Sequence, residues 1–148
     1  MAALVEIVAE ETGKDLVRAG STTCKRQDLL KGFEPDSSYY IERTPQVLGK
    51  RELDLTVDPP PDLVIEVDIT RSSLNRFPVF AALGVPEVWR FDGERFTFYI
   101  LRGDRYVEIP VSAALPPLTA ANATTLLEAS YRVGSRIWVR RVRESVRE

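Results

Sequence analysis

The segment from Asp62 to Thr70 constrains the fold more than any other part of the chain. Its centre reads Leu-Val-Ile-Glu-Val. Aliphatic and β-branched residues in a continuous run are typical of a strand that is buried on both faces in the middle of a sheet. We therefore predict a central strand over residues 62–70, in a mixed α/β domain built around one sheet.

The rest of the chain supplies elements for such a sheet. Strands are predicted over 14–23, 37–42, 87–91, 95–101 and 105–109, and helices over 3–11, 72–83, 122–129 and 134–147. The last helix could instead begin as a strand, because Ile137-Trp138-Val139 is β-prone. The polar, proline-containing stretch over 44–61 is predicted to be a long loop. With 148 residues, the chain has the usual size of one domain, and we expect a single domain over 1–148.

Two carboxylates interrupt the central strand. Glu66 lies inside the aliphatic run, and Asp68 lies two residues later, hence on the same face and roughly 6.6 Å further along. Two acids on one face of a buried strand repel each other unless a positive charge lies between them. A divalent metal ion explains the pair. Two alternatives stay open: the face is exposed to solvent at a strand end, or Arg71 or Arg76 neutralises it.

Two further acids extend the pattern. Asp62 begins the same strand and points to the same face, but about 13 Å of extended chain separates it from Glu66. It can share one metal with Glu66 only if the strand bends, and it could instead cap the strand. Asp36 follows Pro35 at the beginning of the predicted strand over 37–42. Pro-Asp, followed some thirty residues later by Glu-x-Asp in an apolar strand, forms a candidate metal site.

The composition limits the chemistry to a few groups. The chain contains no histidine. This excludes Ser-His-Asp and Cys-His catalysis, histidine general bases and most zinc sites. Chemistry must then depend on carboxylates, Lys, Arg, Tyr or hydroxyls, and carboxylates are suited to hard cations such as Mg²⁺.

The charge is unevenly distributed. The net charge is −2, yet residues 131–148 contain six Arg and two Glu, a local balance of +4 that leaves −6 for the remainder. A basic C-terminal element is compatible with phosphate binding and equally with a solvated helix face. The single cysteine, Cys24, permits no internal disulfide and favours a reducing compartment. With no apolar run of the ~20 residues that a membrane span needs and an acidic N-terminus unlike a secretory signal, we expect a cytoplasmic protein.

Three blocks of the sequence resemble one family. They are Glu-Pro-Asp-Ser-Ser-Tyr-Tyr-Ile from residue 34, Pro-Pro-Pro-Asp-Leu-Val-Ile-Glu-Val from residue 59, and Ala-Ala-Leu-Gly-Val-Pro-Glu-Val-Trp-Arg from residue 81. Their order and spacing are similar to those of the Uma two family of restriction-endonuclease-like proteins, in the PD-(D/E)XK nuclease superfamily. The resemblance covers residues 20 to about 101.

This resemblance implies a restriction-endonuclease-like fold, in which a mixed β-sheet is flanked by helices and acids converge at one sheet edge. It also implies metal-dependent DNA hydrolysis. By position, Asp36 matches the first Asp of the family, Glu66 matches the Glu of the (D/E)xK element, and Asp62 matches the Asp of the Pro-Asp-Leu block.

One departure from the superfamily motif concerns its lysine. The position two residues after the Glu is Asp68 here. Relatives resemble one another in placing a Lys on the following helix, but residues 72–78 contain none, and Arg76 is the nearest cation. Arg can stabilise phosphate charge, but its pKa above ~12 makes it a poor proton shuttle. Lys25 and Lys31 could replace the missing cation only if the fold brings them close to these acids.

The sequence therefore gives two functional hypotheses. The first is an Mg²⁺-dependent endonuclease acting on DNA, with Mn²⁺ as a possible substitute. Its metal ligands are Asp36, Glu66 and Asp68, and its catalytic set is Asp36, Asp62, Glu66 and Arg76. A homodimer is expected by analogy, because nucleases of this fold often pair to cut two strands. The alternative is a catalytically impaired nuclease-fold module that binds nucleic acid or a protein partner.

Overall fold

The computed structural model describes residues 1–19, 23–24, 35–55, 57–69 and 76–147. Its strands are β1 (Val17–Arg18), β2 (Thr23–Cys24), β3 (Ser37–Tyr40), β4 (Glu52–Leu53), β5 (Leu63–Val67), β6 (Glu87–Phe91), β7 (Phe96–Arg102) and β8 (Arg105–Ile109). Its helices are α1 (Ala2–Glu11), α2 (Thr44–Val47), α3 (Phe77–Leu83), α4 (Ala120–Ala129) and α5 (Ser135–Arg147).

Six of these strands form one mixed sheet in the order β1-β3-β5-β6-β7-β8, and β2 pairs with β4 separately. The aliphatic strand β5 lies inside the sheet, antiparallel to β3 and parallel to β6. The predicted central strand is therefore confirmed, as is the mixed sheet flanked by helices that a restriction-endonuclease-like fold requires. The three strands predicted after it are also confirmed as β6, β7 and β8.

The two faces of the sheet are covered by different helices. Alternate residues of a strand point to opposite faces. Ile65 and Trp89 lie on the face that packs against α1, α4 and α5, where Trp89 stacks on Phe98 with ring centroids 4.3 Å apart. Val64 and Val88 lie on the other face, under the residues of α3. Glu66 has the parity of Val64 and therefore belongs to the α3 face.

Helix α3 follows simple capping rules. Pro78 lies in its first turn, where a missing N–H leaves no hydrogen bond unmade. Gly84 ends the helix with a φ of +81°, a left-handed conformation that glycine adopts without strain. The predicted start of this helix at Ser72 or Ser73 lies outside the described residues.

Helix α5 decides between the two predictions for the C-terminal segment. Residues 137–139 are helical, so the alternative start as a strand is wrong. Trp138 and Val142, four residues apart, are the buried positions of this helix, and the Trp138 indole N–H donates to the Leu126 carbonyl at 2.6 Å. Packing of one helical stripe outweighs the local β-preference of the sequence. Among the described helices, none combines the length and apolar character needed to cross a bilayer.

The prediction of a continuous loop over 44–61 is wrong, because α2 and β4 interrupt it. Pro45 lies in the first turn of α2, where proline is tolerated. Beyond β4, the Asp58 carboxylate accepts the N–H of Asp54 at 2.9 Å and pairs with Lys50. The hydrogen bond from Lys50 lowers the pKa of Asp58. Of the strand predicted over 14–23, the structure has β1 and the first residue of β2, and the turn at Gly20-Ser21 lies outside the described residues.

Glu87, at the start of β6, is a buried carboxylate with a structural role. One oxygen accepts the N–H groups of Ala113 and Ala114, both at 2.9 Å. The other accepts the Trp89 indole N–H and the Ser112 hydroxyl, both at 2.6 Å. Four donors therefore satisfy the charge and hold the segment after β8 against the sheet.

Replacing Glu87 by alanine should destabilise the protein by about 3–5 kcal/mol, because each buried donor left unpaired costs about 1–3 kcal/mol. Urea unfolding should show a lower midpoint with an unchanged slope. Glu94→Ala, at an exposed turn position, is the matched control. An equal loss of stability in the two variants would contradict the structural role of the four hydrogen bonds to Glu87.

Candidate functional site

The candidate site is a row of polar side chains across the middle of the sheet. Glu66 on β5 is the direct neighbour of Arg90 on β6. On the other side, Ser37 pairs with Ile65, which places Asp36 across from Glu66 just before β3 begins. Directly opposed residues share a face. Asp36, Glu66 and Arg90 therefore lie side by side on the α3 face.

Two backbone hydrogen bonds join Asp36 to β5, and Glu66 accepts one of them. The Asp36 N–H donates to Oε2 of Glu66 at 3.2 Å, and the Val67 N–H donates to Oδ2 of Asp36 at 2.7 Å. Glu66 is fully buried, whereas Asp36 is exposed. The expected approach of Asp36 and Glu66 is thus found, and it gives a buried carboxylate an exposed partner at the sheet surface.

Arg76 contacts Glu66 directly. Its Nη2 lies 2.9 Å from Oε1 of Glu66, and its side chain is 34% exposed. Within the described part of the chain, Oε1 nevertheless has no hydrogen-bond partner, so this is an ion-pair contact without hydrogen-bond geometry. Arg76 therefore neutralises Glu66, as one of the two alternatives to a metal ion proposed. Arg71, the other candidate, lies outside the described residues.

Burial dominates the ionisation of Glu66. Loss of water raises the pKa of its carboxyl group to about 7, although the Asp36 N–H and the Arg76 guanidinium both favour the charged form. The Asp36 carboxylate acts in the opposite direction and raises the pKa further. Near neutral pH, a proton and a metal ion would therefore compete for this site.

Asp68 follows the end of β5 and is held by β6. Its N–H donates to the Phe91 carbonyl at 2.7 Å, and its Oδ2 accepts the Arg90 Nε–H. The structure thus brings Asp68 to Arg90, and the part of the chain that it describes contains no cluster of three or more acidic or thiol ligands. The role of Asp68 as a third metal ligand stays a prediction.

Asp62 lies at the opposite end of β5. Its Oδ2 accepts the N–H of Ile41 at 2.6 Å and of Arg43 at 3.0 Å, and its own N–H donates to the Tyr39 carbonyl at 2.9 Å. These bonds fix the turn that follows β3. The structure does not bring Asp62 to the Asp36–Glu66 pair, and its catalytic role stays a prediction.

Sequence reasoning missed Arg90. The available signal was a charged residue inside the predicted strand 87–91, because a charge in a buried strand needs a counter-charge nearby. The acid that pairs with Arg90 could not be identified without knowing the register between β5 and β6. Lys25 and Lys31, considered as replacements for the missing lysine, lie outside the described residues.

The basic C-terminal helix lies on the other side of the sheet. Arg147 donates to both carboxylate oxygens of Glu11, at 2.9 and 3.2 Å, and Arg143 lies 3.4 Å from the same carboxylate. Part of its charge therefore serves to attach α5 to α1, on the face opposite Glu66.

The mixed sheet and its flanking helices define a restriction-endonuclease-like fold, with Asp36 and Glu66 side by side on one face of the sheet. A family model described as "Putative restriction endonuclease" matches residues 1–131, and the chain belongs to this family, Uma2. Comparisons with curated proteins and with solved structures found no match. The match includes both acids and ends before α5, so the C-terminal helix lies outside the family region.

The shifted ionisation of Glu66 predicts how metal-free stability depends on pH. A carboxyl group whose pKa rises from 4.5 to about 7 on folding stabilises the native state at low pH, and this contribution is lost as the pH rises through 7. Glu66→Gln has no such group. Its stability relative to wild type should therefore increase between pH 5 and pH 8, by on the order of 3 kcal/mol.

Urea unfolding in EDTA at several pH values measures this difference. Glu94→Gln, an exposed acid in the β6–β7 turn, is the control and should follow the wild type throughout. A constant difference between Glu66→Gln and wild type over this range would contradict the raised pKa.

Proposed function

We propose that this protein is a metal-dependent endonuclease that hydrolyses phosphodiester bonds in DNA, with Asp36 and Glu66 binding Mg²⁺ or Mn²⁺. Membership of the Uma2 family supports the nuclease class. The observation that carries the proposal is the buried Glu66 carboxylate, which accepts the N–H of the exposed Asp36, while the Asp36 carboxylate accepts the N–H of Val67. We retain the cytoplasm as the proposed compartment, which the single cysteine favours.

The donor set fits a small hard cation. Mg²⁺ keeps several of its waters and commonly takes only one or two carboxylates from the protein. Oε1 of Glu66 is buried and, among the described residues, makes an ion-pair contact with Arg76 but no hydrogen bond. It is therefore an oxygen that a cation could take over. When bound, the metal would activate a water molecule and polarise the scissile phosphate.

Each side chain then has a distinct task. Asp36 supplies the exposed carboxylate, and Glu66 supplies the buried one after losing its proton. Arg76, released from Glu66, donates N–H groups to the phosphate oxygens and stabilises the charge that develops there. Asp62 acts as a positioning residue, because it fixes the turn that follows β3. A second copy of the chain would supply the cut in the opposite strand.

The alternative function is a module that binds nucleic acid or a protein partner without cutting. The observation that favours it is charge balance without metal: Arg76 contacts Glu66, and Arg90 contacts Asp68. Both buried acids of β5 therefore have cationic partners already, and the fold has no need of a metal ion.

Metal addition distinguishes these functions. Mn²⁺ or Mg²⁺ at tenfold above its dissociation constant should stabilise the wild type by about 1.4 kcal/mol, because the ligand prefers the native form. Plasmid DNA should be cut in the same buffer. Asp36→Asn and Glu66→Gln should both lose the thermal shift, and cleavage should fall by on the order of 100-fold or more.

Asp104→Asn, in the exposed β7–β8 turn, is the matched control and should keep both responses. A wild-type protein that shows no metal-dependent shift and leaves the plasmid intact would instead support the non-cutting module.

A further inference from the structure

We infer that Arg90 is a second phosphate-binding residue of this site, and that Asp68 holds it in position. The inference rests on the proposed function, because it concerns the substrate of the same site. Asp68 stands where the superfamily motif has a lysine, and the structure pairs this acid with an arginine from the next strand. The cation absent from position 68 is thereby supplied by β6.

The register of the sheet places Arg90 beside the acids. Arg90 is the direct neighbour of Glu66 in the parallel β5–β6 pair, and adjacent strands are about 4.8 Å apart. Both side chains rise from the α3 face. A phosphate held near Glu66 would therefore lie within reach of an arginine side chain.

The contact with Asp68 orients the guanidinium group. Asp68 accepts the Nε–H, and its side chain is 2% exposed, whereas that of Arg90 is 22% exposed. An arginine carries five N–H donors, so the Nε–H bond to Asp68 and an interaction with Tyr99 still leave donors for a further acceptor. The hydrogen bond to Asp68 also raises the pKa of Arg90, which keeps it charged.

Charge explains why the acceptor would be a phosphate. When ionised, Asp36, Glu66, Asp68, Arg76 and Arg90 together carry one negative charge. A divalent cation reverses the sign and gives this group a net positive charge. A phosphodiester is then attracted only when metal is present, and Arg90 adds a directional, charge-assisted hydrogen bond to one of its oxygens.

Stability alone gives no reason for such a pair. A buried ion pair contributes little net stability, because the cost of removing both charges from water offsets their attraction. Two apolar residues at positions 68 and 90 would serve the core as well. The pair does, however, fix a cation at the border between the core and the Asp36–Glu66 site.

DNA binding tests this role directly. The probe is a short fluorescein-labelled DNA duplex in Ca²⁺, followed by anisotropy over a salt series, with the DNA checked for integrity on a gel. Arg90→Gln should weaken binding about tenfold and lower the slope of log K against log salt by roughly one. Arg90→Lys should recover the slope, because it restores the charge.

Arg102→Gln is the matched control, since it removes the same charge from an exposed position at the end of β7. It should bind as the wild type does. Because Arg90→Gln removes the guanidinium group from the buried Asp68 carboxylate, the double variant Asp68→Asn with Arg90→Gln keeps the test valid if the single variant unfolds. With a wild-type melting temperature, the double variant should show the same loss of binding.

The inference is overturned if Arg90→Gln or the folded double variant binds DNA with the affinity and salt slope of the wild type. It is overturned equally if the wild type does not bind the duplex. Plasmid cleavage separates it from the proposed function. If the Arg90 variants bind and cleave DNA normally, the nuclease proposal stands and the role of Arg90 is wrong. If binding depends on Arg90 but the wild type does not cleave the plasmid, the role of Arg90 stands and the nuclease proposal is wrong.

Discussion

The burial of one carboxylate, Glu66, is the constraint on which the site depends. A charge in the middle of a sheet is costly unless protein groups replace the water that it loses. The structure supplies an N–H from Asp36 and a guanidinium from Arg76, and burial still raises the pKa of Glu66 to about 7. The protein groups around Glu66 therefore offset only part of the cost of burying its charge.

Hydrogen bonding separates this acid from two other buried acids, Glu87 and Asp62. Glu87 accepts four donors, and Asp62 accepts two backbone N–H groups. Both are satisfied within the fold. In the described part of the chain, Glu66 keeps one buried oxygen without a hydrogen bond. A carboxylate left in this condition beside an exposed acid is suited to an added cation, whereas the other two serve the architecture.

Much of this arrangement could be predicted from the sequence. The aliphatic run over 63–67 identifies the central strand, and the resemblance to the Uma two family implies that Asp36, in Pro-Asp before a Tyr-rich strand, lies near Glu66. The partners of the charged groups could not be predicted. Whether Asp68 meets Arg90 depends on the register between β5 and β6. A shift of two residues would leave the same faces buried, so the alternation of the strands alone does not identify the partner. The helix and the short strand within 44–61 depend likewise on packing and on the Asp58–Lys50 contact.

Counting bound ions shows whether Asp36 and Glu66 form one metal site, as we propose. Electron paramagnetic resonance detects free Mn²⁺ in a titration of the protein at pH 8, above the pKa of Glu66. We expect one Mn²⁺ bound per wild-type chain and none per Glu66→Gln chain at the same concentrations. Equal Mn²⁺ binding by the two proteins, or no binding by either, would contradict the proposal.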